Sequence, residues 1–265
     1  MNWPTWPTQE APDRLGAIWG FCLPLRLRSV RLTDVNDYVE YARHVTTEMT
    51  RNGYPKLCLA RGDVDEATIA AFESALETAT DERPLQRFFE SHPSVLAGEL
   101  RANCRWVLPQ AGLGGRYVPD FLTARLDSGG MQWTLVELES PTAQLFTRDG
   151  QPRKELRKGL SQIQDWRNWL AANRDLARRA RSDHGLGLIG IDYLASGIVI
   201  IGRRKHRSPT DQERLKSLIV RERVLIRSYD WLLEEARWRV ALRGELAQDN
   251  AVMCEECAMP GRTFQ

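Results

Sequence analysis

An α/β fold with a central mixed sheet flanked by helices is predicted for this 265-residue chain by three features of its sequence. Two apolar, β-branched and aromatic runs, Val118 to Leu126 and Met131 to Glu139, flank Asp127-Ser128-Gly129-Gly130, whose residues tolerate the positive φ of a tight turn, so the segment reads as a β-hairpin. Gly197-Ile-Val-Ile-Ile-Gly202 is the continuous apolar run of a strand buried on both faces. Between them, Glu155 to Ala180 repeats Leu156, Leu160, Ile163, Trp166 and Leu170 near helical spacing.

In chain order, residues 1 to 80 read as a mostly helical N-terminal extension to which no chemistry can be assigned. Irregular sequence containing Trp and Pro comes first. Helices are then predicted over Asp34 to Arg51 and Glu66 to Thr80, the second Ala-rich with Asp65 near its start. The main domain is expected over 81–245. Pro84 to Glu90 opens an amphipathic helix with Leu85, Phe88 and Phe89 on its apolar side, and His92-Pro93 ends it. A short helix over Ser94 to Leu100, a strand over Cys104 to Leu108 and a Gly-rich connection, Gln110 to Gly115, lead into the hairpin, which Pro141 closes. Beyond the long helix, Gly185 and Gly187 act as terminators. Ser208-Pro209 caps another helix, Val224 to Arg227 is a short strand, and Tyr229 to Arg243 is the last helix. An irregular tail, 246–265, follows.

Composition narrows the function classes. At 42% hydrophobic and 27% charged, the chain can bury one generous core, or a core plus a smaller appended unit, and its longest apolar runs fall far short of the roughly 20 residues of a membrane span. With neither a basic start nor an apolar core at its N-terminus, it is expected in the cytoplasm. Five cysteines, Cys22, Cys58, Cys104, Cys254 and Cys257, show no disulfide framework, and Cys254-Glu-Glu-Cys257 is half a zinc site lacking two further ligands. His44, His92, His184 and His206 lie too far apart in sequence for ligand-like spacing, and Trp166 and Trp169, three residues apart on an amphipathic helix, read as core. Gly112-Leu-Gly-Gly115 precedes a strand rather than a helix and reads as a flexible connection. Net charge is only +2, yet between Arg153 and Asp183 nine basic residues face four acids, and Arg203-Arg204-Lys205-His206-Arg207 forms a second cluster. Such faces attract phosphate backbones or are simply solvated.

The hairpin carries the chemistry. Symmetry about the Ser128–Gly129 bond puts Asp120 opposite Glu137, with Cβ atoms about 5 Å apart, and Glu139 on the same face. Like charges directly opposite one another destabilise a strand pair, so three converging acids ask for a cation. Oxygen-only ligands favour Mg²⁺ or Mn²⁺ over zinc.

Taken in order, these elements resemble the restriction-endonuclease-like core of PD-(D/E)xK nucleases, with Pro119-Asp120 at the "PD" element and Glu137-Leu138-Glu139 at "(D/E)xK". A narrower resemblance, over roughly residues 81 to 240, is to the Shedu family of bacterial anti-phage defence proteins. It is carried by Leu85-Gln86-Arg87-Phe88-Phe89-Glu90-Ser91-His92-Pro93, Val118-Pro119-Asp120-Phe121, Leu135-Val136-Glu137-Leu138-Glu139-Ser140-Pro141, Gln162-Ile163-Gln164-Asp165-Trp166, Ile200-Ile201-Gly202-Arg203 and Tyr229-Asp230-Trp231-Leu232-Leu233. The resemblance implies a homo-oligomeric, metal-dependent nuclease acting on DNA, with RNA left open. Asp120 and Glu137 would hold Mg²⁺ or Mn²⁺, Gln162 would project toward them, and Lys154, Lys158 and Arg203 would contact nucleic acid. Glu139 stands where the motif has lysine. Three readings follow: Glu139 binds metal or acts as the base toward water, Lys154 or Lys158 supplies the missing cation, or hydrolysis is lost and a silent nucleic-acid-binding or scaffold protein remains.

Overall fold

A computed structural model describes residues 35–58, 64–97, 104–127 and 129–246. Six strands form one sheet in the order β1-β2-β3-β4-β5-β6: Leu57–Cys58, Cys104–Pro109, Phe121–Asp127, Gly130–Leu138, Ser196–Ile200 and Val224–Arg227. The first four pair antiparallel, and β5 and β6 add in parallel beyond β4. Parallel neighbours require crossovers, and helices α5 (Lys154–Arg178) and α6 (Pro209–Glu222) lie on those two connections.

Alternation along β3 and β4 divides the core into two layers. Leu122, Ala124, Trp133 and Leu135 face a cluster shared with α5, α6 and α1 (Val35–Arg51), to which α1 gives Val45 and Met49. Phe121, Val136 and Leu138 face the other side, against α2 (Glu66–Thr78), α3 (Arg83–Ser91), α4 (Ser94–Ala97) and α7 (Tyr229–Leu246). The boundary expected at residue 80 therefore falls inside a continuous apolar layer, in which Phe72 of α2 packs edge-on against Phe89 of α3 at 5.2 Å. Asp65 caps α2 by accepting from Thr68 N–H at 2.7 Å. Ser208 and Asp211 form a reciprocal capping box on α6.

The hairpin register is the one symmetry predicts: Asp127 pairs with Gly130, whose φ is +93°, and Phe121 with Val136. Strand β3 starts later than expected, at Phe121, because Pro119 has no N–H for a ladder and Val118 is 54% exposed. The two-residue β1 is too short to carry an alternation signal and went unpredicted. Residues 1–34 and 247–265, with Cys22, Cys254, Cys257 and the expected tail, lie outside the described residues, as do Leu100 and Ser128. Trp166 is 1% exposed in the core, as its spacing predicts. Among the described residues, no helix is long and apolar enough to cross a membrane.

Two glycines let α5 ride close to the sheet. A Cβ on Gly159 would lie 2.9 Å from Val199 Cγ1 and 3.4 Å from Glu139 Cγ, and one on Gly197 would lie 2.5 Å from Ile163 Cγ2. Gly159→Val is therefore expected to lower unfolding free energy by about 1–3 kcal/mol through overpacking, read as a lower urea midpoint at unchanged m-value. A midpoint equal to that of the parent chain would contradict the close approach.

Candidate metal centre

At the open end of the hairpin the ladder runs out, and the acids stand where β3 begins and β4 ends. Asp120 sits in a bend just before β3. Its backbone carbonyl accepts from Gln110 N–H at 3.0 Å and from Gln86 Nε2 at 3.3 Å, while its Oδ2 accepts from Leu138 N–H at 2.7 Å. Glu137 shares the α5-facing side of β4 with Trp133 and Leu135 and is 2% exposed; Glu139, one residue past the strand, is 3% exposed. From α5, Lys158 places its Nζ 3.1 Å from Glu139 Oε1 and 3.9 Å from Glu137 Oε1. Gln162, one helical turn further on, brings its amide beside Glu137.

The electrostatics follow from crowding like charges in a buried place. Desolvation, then the charges of Asp120 and Glu139, push Glu137 up to about 9, with Lys158 and Gln162 only partly opposing. Desolvation raises Glu139 to about 6 against the pull of Lys158, and raises Asp120 despite its bond from Leu138 N–H. Burial opposes charging Lys158, but Glu139, Glu137 and Glu82 outweigh it, so its ammonium is held above the usual lysine range. One cation thus answers three carboxyls.

Each predicted residue has a definite place. Asp120, Glu137, Glu139, Gln162 and Lys158 converge. Lys154, at the first turn of α5, is exposed one turn before Lys158. Arg203 has its guanidinium taken up by Asp230 Oδ1 at 2.8 Å and Glu77 Oε1 at 3.0 Å, so it braces α7 and α2. Three neighbours were missed by sequence reasoning. Glu82, at the N-cap of α3 but making no capping bond, adds its field to Asp120, Glu139 and Lys158. Gln86 lies one turn later on the same face, a spacing that a helical wheel would have paired with Glu82. Tyr229 donates its hydroxyl to Glu139 O at 2.8 Å, and no local signal marks it.

The donor set is compatible with a hard divalent ion. Every candidate ligand is oxygen, and Glu137 Oε2, Glu139 Oε1 and Gln162 Oε1 are buried without a hydrogen-bond partner, Glu139 Oε1 having only its ion pair with Lys158. Asp120 and Glu137 share a side-chain hydrogen bond, whereas Glu139 lies closer to Lys158 than Glu137 does. Among the described residues, no group of three or more His, Cys, Asp or Glu side chains is placed to hold a metal ion, so the donor set rests on the pair Asp120 and Glu137.

Residues 79–233, more than half of the chain, match the family model described as Shedu protein SduA, C-terminal. No curated protein matches the sequence. The matched span holds β2 through β6 and every residue of the acidic cluster, and the chain belongs to the Shedu family.

Proposed function

We propose that this protein is a Mg²⁺- or Mn²⁺-dependent nuclease of the PD-(D/E)xK type that hydrolyses DNA phosphodiester bonds in anti-phage defence. The observation that supports it most is the convergence of half-buried Asp120 and buried Glu137 with Glu139, Gln162 and Lys158 at one end of the sheet. Asp120 and Glu137 would hold the ion, with Glu139 able to join them if its carboxylate leaves Lys158. When bound, a divalent ion polarises the scissile phosphate and lowers the pKa of a coordinated water. Glu139, raised to about 6, is suited to accept a proton from the attacking water near neutral pH. Lys158 supplies from α5 the ammonium that the motif ordinarily places two residues after Glu137, and it offsets charge building on the phosphoryl oxygens. Gln162 orients the Glu137 carboxylate. Lys154, exposed one turn before Lys158, would meet the adjacent backbone phosphate. Defence by DNA cleavage also accords with membership of the Shedu family.

The substitution of Glu139 for the motif lysine favours a second reading, a silent DNA-binding protein on the same fold. Incubation of supercoiled DNA with the purified chain separates the two. The nuclease gives nicked or linear product with Mg²⁺ or Mn²⁺ and none in EDTA, whereas the silent protein retains DNA without product under either condition. Lys158→Met is expected to slow cleavage about 100-fold while Lys158→Arg recovers part of the loss. Parent-like rates in Lys158→Met would remove the lysine from the mechanism.

A further inference from the structure

The side chains of the acidic cluster are presented from the α5 side of the sheet, but the backbone that carries Glu139 is held from the opposite side. Strand β4 ends at Leu138, so Glu139 lies beyond the ladder and its peptide groups need other partners. Its N–H donates to Ile200 O at 2.9 Å, and the following Ser140 carbonyl accepts from Gly202 N–H at 3.1 Å. Between these two bonds, the Glu139 carbonyl accepts from the Tyr229 hydroxyl at 2.8 Å. Bonds on both sides of its Cα fix φ and ψ of Glu139, and with them the direction in which its side chain leaves the backbone.

The donor is itself fixed. Tyr229 is fully buried, its ring is parallel within 4° to that of Phe89 at 6.4 Å, and its own N–H donates to Gly202 O at 3.2 Å. Burial, reinforced by the charges of Asp120, Glu82, Glu139 and Glu137, pushes its phenol well above the usual tyrosine range.

Building on the nuclease reading, we infer that Tyr229 is a positioning residue: by holding the Glu139 carbonyl from behind the sheet, it sets the carboxylates of Glu137-Leu138-Glu139 for divalent-ion binding. It touches neither ion nor substrate. Groups that orient a metal's ligands are worth roughly 10- to 100-fold in affinity, whereas a phenol with no such duty contributes only to general stability.

A control exists in the same molecule, half-buried where Tyr229 is fully buried. Tyr54 also donates to a backbone carbonyl, Leu186 O at 2.7 Å, beside the far end of α5, where Leu186 N–H bonds to Leu176 O. Mn²⁺ binding to the full chain is measured by calorimetry, with thermal melting alongside, for the parent, Tyr229→Phe and Tyr54→Phe. Phenylalanine preserves each ring and removes only the hydroxyl. Tyr229→Phe is expected to weaken Mn²⁺ about tenfold or more, and to lower kcat rather than raise KM for DNA. Tyr54→Phe is expected to leave Mn²⁺ affinity unchanged. Equal Mn²⁺ affinity in Tyr229→Phe and the parent, or equal weakening by both variants, would overturn the positioning role and leave the metal site standing. A parent chain that binds no Mn²⁺ would overturn the metal site and the positioning role together.

Discussion

Replacing either Asp120 or Glu137 by alanine is expected to abolish metal-dependent DNA cleavage, a loss on the order of a thousandfold or more, because the ion would be held between these two carboxylates and neither holds it alone. The loss should come without unfolding. Glu137 is buried beside Asp120 and Glu139, and its ionised form is disfavoured by desolvation and by both of them. At pH 8 the metal-free fold keeps on Glu137 a proton that the unfolded chain has lost, and that linkage costs stability, so Glu137→Gln, which keeps the side-chain volume and does not titrate, should melt at or above the parent temperature. A residue kept only to brace the hairpin would show the reverse, with lower melting and no specific loss of cleavage. Plasmid cleavage and thermal melting on the same preparations check both halves, and undiminished cleavage by both alanine variants would exclude the site.

In EDTA the stability of the protein is expected to fall as pH rises from about 5 to about 9. Glu137 has an ordinary value of 4.5 and is raised to about 9 in the fold, so across that window the unfolded chain has lost a proton that the folded chain retains. Fewer protons on the unfolded state means that unfolding gains ground with increasing pH, by up to about 1.4 kcal/mol per pH unit for one such group. Glu139, raised to about 6, adds to the slope only between its ordinary 4.5 and that value. A divalent ion favours the ionised carboxyls, so saturating Mg²⁺ should flatten the dependence and stabilise most at high pH, with protons released on binding. Glu137→Gln should lose most of the slope in EDTA. Urea denaturation from pH 5 to pH 9, with and without Mg²⁺, measures this directly, and a flat profile for the parent in EDTA would contradict the buried, mutually repelling cluster.

Much of the site could be read from residue order because its geometry is local. Period-two alternation and a turn ending in Gly130 set one register, and that register, which ends at Phe121 opposite Val136, leaves Asp120 just past the ladder at the end of the hairpin that carries Glu137. Helical spacing likewise put Lys158 and Gln162 one turn apart on α5. What sequence left open was the choice between Lys154 and Lys158, which depends on how α5 lies across β5, and that closeness is set by Gly159 and Gly197. Arg203 shows the limit of charge counting. A basic run after a strand gives no sign that Glu77, from a helix 126 residues earlier, and Asp230 will neutralise its arginine. Tyr229 lies 90 residues from Glu139 in the chain, and no periodicity connects a buried ring in one layer to a carbonyl at the end of the sheet. The helices α1 and α2 read as separate because nothing in their amphipathic pattern names the partner that covers them.

The central claim is that Asp120 and Glu137 share one divalent ion, and crystals soaked in Mn²⁺ test it most directly through anomalous scattering. A single strong peak is expected within about 2.0–2.4 Å of an oxygen from each of the two carboxylates, lost in Glu137→Gln. A parent crystal with no peak there, or with its peak bound elsewhere and the Asp120 and Glu137 oxygens too far apart to share it, would contradict the account.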